Sequence, residues 1–366
     1  MPRRDNKSSA KRIRTDQPVT IRSLADYLKL SPAAVSMVLN QTPKARRFPE
    51  KTTKRILAAA QKFNYRPNFV ARSLRKQQTF TIGVLVPEVS EGYAALVLAG
   101  IEDFLLQAGY FYFVVSHRHK EHLLEQYPRL FMERLVEGII AVDTTELPGA
   151  APVPTVIVSG HKRMPDITNV VLDHRHAAML ALDHLMQLGH RRIAFIKGQR
   201  FSSDTETRWA SIREAARKLG LKIDSELVTQ LQADSPTPEP GYDVTKSLLA
   251  KNRPFTALFA FNDISAIGAI RALLDSGVKV PREVSVMGFD DIQSAAFQNP
   301  RLTTIRQPLR RMGELAAETL LRRINSGAYP KIIAVEPELI IRESTAPPPL
   351  SAMEREIKAG VQEMRG

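Results

Sequence analysis

The sequence predicts an α/β protein with a small all-α module at its N-terminus, followed by a larger two-lobed domain of parallel sheets. Three observations predict it. The formal net charge of +14 over 366 residues is concentrated in one fifth of the chain. Residues 1–76 hold 19 Lys/Arg and 4 Asp/Glu, which leaves 33 basic and 34 acidic residues in the remaining 290. Within the basic part, three short segments carry apolar residues at helical spacing. From Phe80 onward, apolar strands alternate with amphipathic helices, as parallel sheets covered on both faces require. A basic module joined to a neutral one is the electrostatic footprint of a nucleic-acid binder with a second task.

Bulk composition excludes several other classes. The length suggests two or three domains, and 43% hydrophobic residues suffice for sizeable cores. No apolar run approaches the ~18 residues of a membrane span. The opening "MPRRDNKSSAKRIRT" is basic with no apolar stretch behind it, so it does not read as a secretory signal. The absence of cysteine rules out disulfides and thiolate metal sites and suits a reducing compartment, so a cytoplasmic protein is expected.

After a basic, disordered tail over residues 1–17, a DNA-binding module is expected over 18–65. Thr20 is placed to cap a helix whose Ile21, Leu24, Ala25 and Leu28 share one face. Following a break at Leu28–Leu30, Ser31 caps and Pro32 opens a second helix with Val35, Val38 and Leu39 inward. A third runs from about Glu50 to Phe63, with Ile56, Leu57, Ala60 and Phe63 inward. Two short helices with a tight turn, backed by a third, read as helix-turn-helix, although small three-helix bundles of other purpose share the pattern. Residues 66–78 form a linker in which Pro67 can start one more helix, too short to be stable alone.

Specific blocks now carry a resemblance. "VTIRSLADYLKLSPAAVSMVLN", "KTTKRILAAAQKFNYRPNFVARSLR" and "TIGVLVPEVS" resemble the LacI/GalR family of bacterial transcription regulators. The likeness continues through "LMQLGHRRIAFIKG", "ALFAFNDISAIGAIRAL", "VSVMGFDD" and "PRLTTIRQPLRRMGELAAETLLRRI", covering roughly residues 18–342 in order. It implies that the second helix enters the major groove of double-stranded DNA, with Thr20, Ser31, Pro32, Ala33, Ser36, Met37 and Asn40 as the DNA-facing set. It also implies that 66–78 is a hinge helix that pairs with a dimer mate in the minor groove. Asn68, Ala71, Arg72 and Arg75 would then lie against the duplex, with Leu74 as the wedge between base steps.

Three departures from the family pattern stand out. The family commonly has arginine at Met37, so the strongest expected guanine contact is absent. Lys29 occupies a turn where glycine is usual, which costs on the order of 1 kcal/mol if φ is positive there. "QTPKARRFPE" is about three residues longer than usual and adds Lys44, Arg46 and Arg47, either as phosphate contacts or as a solvated basic loop.

In the second module, strands at "FTIGVLVPE", "YFYFVVSH", "EGIIAVD", "RRIAFIKG", "ALFAFND" and "VSVMGFD" alternate with helices, including Tyr93–Gln107 and Glu121–Arg134. Ligands are expected at the carboxyl ends of such strands. Glu88, His117, Asp143, Ser159, Asp173, Asn262 and Asp290 stand there, each equally able to cap the following helix. The resemblance implies a periplasmic-binding-protein-like effector and dimerisation domain over 79–342. Lobe 1 would cover about 79–188 plus 309–326, lobe 2 about 191–303 plus 330–342, and a C-terminal tail 343–366. It places Arg208, Asn262 and Asp290 on a small, sugar-like effector, with Tyr93 against a sugar ring and His117 and Asp173 as further partners.

No catalytic residue, cofactor or metal site is expected. The histidines of "HRHKEH" and "DHRH" have no completing carboxylate pair, and no phosphate-cradling glycine loop, nucleophile elbow or zinc-protease motif is present. The sequence thus reads as an effector-responsive regulator, a repressor in type, binding a pseudo-palindromic operator as a homodimer, with no membrane partner. Two rivals are a sugar-binding transport receptor of the same fold and an architectural DNA binder without effector. The first lacks an export signal and would not need the basic module. The second leaves Arg208, Asn262 and Asp290 without a ligand.

Overall fold

The computed structural model describes residues 19–40, 42–65, 73, 78–90, 92–144, 147, 153–233, 235–327 and 329–350. The chain divides into two units between Thr79 and Phe80. In the first, helix α1 spans Ile21–Leu28, α2 Pro32–Leu39 and α3 Glu50–Lys62. Thr20 and Ser23 close a capping box at the start of α1, and the Ser31 hydroxyl accepts from the Ala34 N–H at 3.1 Å to open α2. Leu24, Ala25, Leu28, Val35, Val38, Ile56 and Ala59 form the core, with Phe63 edge-on to Tyr27 at 4.8 Å. Leu57, expected to face inward, is 49% exposed; the inward stripe of α3 runs through Ile56 and Ala59 instead. Lys29 ends α1 with φ 57°, the left-handed turn that glycine would make without strain.

The second unit is built on two six-stranded sheets. In the first, the strands run in the order β11-β5-β4-β3-β1-β2, all parallel: β1 Thr81–Val86, β2 Phe111–Ser116, β3 Gly138–Val142, β4 Thr155–Val158, β5 Ile167–Leu172 and β11 Ile332–Val335. In the second the order is β12-β10-β9-β8-β6-β7: β6 Ile193–Lys197, β7 Val228–Gln230, β8 Ala257–Phe259, β9 Ser285–Asp290, β10 Thr303–Arg306 and β12 Glu338–Ile340. Only β12 is antiparallel, to β10. Most inner strands, β1, β3, β4, β8 and β9 among them, are buried along their whole length, which is why they read as continuous apolar runs. Helix α4, Tyr93–Gln107, crosses α10, Leu309–Ser326, where Gly100 and Gly313 face each other's backbone; a Cβ on either would strike a carbonyl of the other helix.

These pairings correct the expected lobe boundaries. Helix α6, His174–Gln187, packs on α7 (Asp204–Lys218), β10 and β12, so it belongs to the second lobe, not the first. Strand β11 pairs with β5, so residues 332–335 belong to the first lobe, not the second. The chain therefore crosses between lobes three times: after β5, after β10 and between β11 and β12. The expected tail also starts too early. Ser344 is buried, its hydroxyl accepting from the Thr303 N–H at 2.8 Å and donating to the Val286 carbonyl at 2.6 Å, and Ala346 bonds to Ser285 and His190. Among the described residues no helix is long and apolar enough to cross a membrane.

Candidate functional site

Two surfaces hold the residues singled out by sequence. On α2, Ser31, Pro32 and Ala33 are exposed and Ser36, Met37 and Asn40 half-buried, opposite the face that packs Val35 and Val38 inward. Asn40 caps the end of this helix and donates its amide to the Ser36 carbonyl at 2.7 Å and to the Ser36 hydroxyl at 3.1 Å. Thr20 spends its hydroxyl on the capping box. The outer face of α2 therefore carries a serine, an amide and short apolar groups, with no cation. Asn68, Ala71, Arg72, Leu74 and Arg75 lie outside the described residues.

The second surface is a cleft of about 510 Å³ between the two sheets of the second unit, within the usual size range for small ligands. The first lobe contributes Glu88, Tyr93, His119 and Asp143; the second contributes Phe201, Asp204, Arg208, Phe261, Asn262 and Asp290. Two of these sit where a strand ends with positive φ, Asp143 at 48° and Asp290 at 115°, and Ser159, which lies behind Tyr93, has 61°. Non-glycine residues held in that region are a mark of a functional site. Asp290 accepts from the Gln307 amide at 2.6 Å, and burial pushes its carboxyl up to about 7. The Tyr93 hydroxyl meets the Ser159 hydroxyl at 2.6 Å, and burial holds that phenol neutral. Asn262 caps α9, Asp263–Asp275, with a bond from the Ser265 N–H, and still faces the cleft.

Beneath these groups lies a buried charge network. Arg208 is only 4% exposed, donates to Asp204 Oδ2 at 2.9 Å and to the Phe261 carbonyl, and stacks on Phe289 with its guanidinium carbon 3.7 Å from the ring centre. Asp204 Oδ1 accepts from His161 Nε2 at 2.6 Å and from His174 Nε2 at 3.2 Å. Burial raises the Asp204 carboxyl, but His174, His161 and Arg208 outweigh it and hold the group well below the carboxylate range. Burial lowers the His174 pKa, against the pull of the Asp204 carboxylate. His161, His174 and Asp204 are the group among the described residues whose ligating atoms lie within 4.8 Å of one another. A cation there would compete with the Arg208 guanidinium for the same carboxylate. Across the cleft mouth, the Ser203 N–H and hydroxyl both donate to Asp143 Oδ1, at 2.8 and 2.6 Å.

Residues 182–345 match the family model for a periplasmic binding protein-like domain. The chain is 32% identical over 333 residues to the HTH-type transcriptional repressor PurR of Aliivibrio fischeri strain MJ11, covering 89% of this chain and 98% of that protein. It belongs to the LacI/GalR family of transcriptional regulators. Among solved members of that family, the lac repressor dimer bound to operator and the anti-inducer ONPF superposes with a TM-score of 0.82 at 26% identity, covering 90% of this chain and all of that one. A CelR–cellobiose complex superposes with a TM-score of 0.67, also at 26% identity, over 89% of this chain and 99% of that one.

In this LacI-family chain, Tyr93, Arg208, Asn262 and Asp290 converge on the cleft, and two expected partners do not. His117 is fully buried: Nε2 lies 3.1 Å from the Val142 carbonyl and Nδ1 accepts from the His119 N–H at 3.0 Å, with burial lowering the ring's pKa to about 4. Left-handed Arg118 and His119 (φ 49° and 50°) break the strand's alternation, so His119, not His117, reaches the cleft and stacks on Phe201 at 4.5 Å. Asp173 accepts from the Arg175 and His176 N–H groups at 3.0 Å and caps α6; it does not line the cleft. Asp204 was not singled out by sequence, because it opens a helix after a loop and not directly after a strand. The readable signal was its i,i+4 spacing to Arg208.

Proposed function

We propose that this chain is a homodimeric transcriptional repressor whose basic N-terminal units bind a pseudo-palindromic operator under the control of a small sugar or sugar derivative held in the cleft. It would work in the cytoplasm and catalyse no reaction. The observation that carries the reading is the pairing, in one chain, of a basic helix-turn-helix unit with a cleft that converges Asp290, Asn262 and Arg208 beside aromatic rings. Acceptors and donors set among rings suit a polyhydroxylated ligand.

The test has two arms. Selection from a randomised duplex pool should return a two-fold sequence, and a thermal-shift screen of sugars and sugar phosphates should return a ligand that changes operator affinity. A pool that returns no preferred sequence, or a ligand without effect on DNA binding, would defeat the reading.

Two substitutions sharpen the DNA side. With no cation on α2's outer face, base readout rests on Ser36 and on methyl contacts by Ala33 and Met37. Met37→Arg should therefore add roughly 1–3 kcal/mol for half-sites with guanine opposite that position, measured by titrating a half-site library. Leu74→Ala, at the family's wedge position, should weaken operator binding far more than binding to random DNA. Equal losses on both would refute the wedge.

A further inference from the structure

The extended segment after α2 is not an open loop. Pro43–Arg47 forms a short 3-10 helix of five residues, bracketed by Pro43 and Pro49 and fastened to the end of α2, where Thr42 donates its N–H to the Met37 carbonyl at 3.1 Å. In a 3-10 turn, side chains three apart share a row. Ala45 and Phe48 form one row and pack on the unit's core. Lys44 and Arg47 form the second row and Arg46 stands on the third, all three exposed. Among the described residues no carboxylate pairs with any of them, while Lys54 nearby in sequence is neutralised by Glu50 at 2.7 Å. Among the described residues, three cations thus stand on an inward-anchored turn with no carboxylate paired to them.

The geometry points to this turn as a dedicated clamp for DNA phosphates, extending the contact beyond the groove that α2 enters. This rests on the DNA-binding reading above. At about 2.0 Å rise per residue the turn is roughly 10 Å long, comparable with the ~12 Å width of the major groove. A segment fixed to the end of a helix lying in that groove meets the groove's edge, where the phosphates run. The complementary surface is therefore the duplex backbone. Because the two prolines and the Phe48 anchor fix the turn in advance, little ordering cost opposes the contact. The device also suits a chain whose α2 lacks a cation of its own: it strengthens binding without reading sequence.

The test compares full-length wild type with Lys44→Gln/Arg46→Gln/Arg47→Gln and with a charge-keeping Lys44→Arg/Arg46→Lys/Arg47→Lys variant, on the selected duplex and on a random duplex. The glutamine variant should melt as wild type does, since the anchoring Ala45 and Phe48 are untouched. Its plot of log affinity against log salt should be shallower by about 2–3 per protomer on both duplexes, with binding at least tenfold weaker at low salt. The charge-keeping variant should retain the wild-type slope. Methylphosphonate replacement of single phosphates should find positions outside the α2 half-site that matter to wild type and not to the glutamine variant. An unchanged slope, or a loss confined to the selected duplex, would overturn the clamp while leaving DNA binding intact. A wild type that binds neither duplex would overturn both.

Discussion

Asp204→Ala is expected to destabilise the second unit by about 3–5 kcal/mol, the cost of breaking a buried ion pair from one side. Asp204 and Arg208 are each only 4% exposed, and among the described residues Asp204 is the carboxylate within ion-pair distance of the guanidinium, which also has the Phe261 carbonyl and two aromatic faces. Deleting the carboxylate also strips the shared acceptor from His161 and His174, leaving imidazole N–H groups without their bond. At about 2–4 °C per kcal/mol for a domain of this size, the melting temperature should fall on the order of 10 °C. The folded pKa of Asp204 is depressed, so its contribution is present above the ordinary carboxylate value of ~4 and lost as pH falls through the folded value. The gap between wild type and variant should accordingly be full at pH 7 and close only in strong acid. Asp204→Ala/Arg208→Met should recover part of the loss, since the uncompensated charge is then gone. Calorimetry at pH 7 and pH 3 measures all of this; a single variant melting within a degree or two of wild type would show that the pair holds nothing together.

What was legible in the sequence follows the range of the forces involved. The α1 and α2 boundaries were set by local chemistry, a Thr20–Ser23 box and a Ser31–Pro32 opening, and could be read directly. The buried strands could be read from their apolar runs. Sheet membership could not: β11 and β12 are separated by two residues yet pair in different sheets, and only contacts with β5 and β10, far away in sequence, decide it. The same limit governs the site. Asp290 was legible because it ends a strand, and the family pattern named it. His117 was misplaced because strand alternation fails once Arg118 and His119 turn left-handed, a conformation no periodicity signals. Asp173 satisfied the capping alternative that any strand-end carboxylate carries. His161 and Asp204 meet across the two lobes, so their bond belongs to the fold and not to either segment.

Effector affinity is expected to weaken as pH falls below about 7, and to stop depending on pH in Asp290→Asn. Asp290 ends β9 at φ 115°, lines the cleft and is 5% exposed. Burial is the main cause raising its carboxyl to about 7; Asp204 and Asp143 add to it, while Arg208 and the Gln307 amide oppose it. Near neutrality the group therefore stands between its two forms before ligand arrives. Ligand hydroxyls that donate to the carboxylate select the ionised form, so binding below that value must expel a proton. The dissociation constant should rise by up to tenfold per pH unit below about 7 and level off above it. Asn at this position keeps the shape and one acceptor but cannot ionise. Its affinity should be flat with pH and, at pH 8, weaker by the roughly 1.5–3 kcal/mol of a charge-assisted bond, about 10- to 150-fold. Titration calorimetry between pH 5.5 and 8.5, in buffers of different ionisation enthalpy, reads both the constant and the proton released. If wild-type affinity is level across that range and Asp290→Asn binds equally well, Asp290 does not hold the effector, and its strained backbone and raised pKa belong to the packing of β9 against β10 alone.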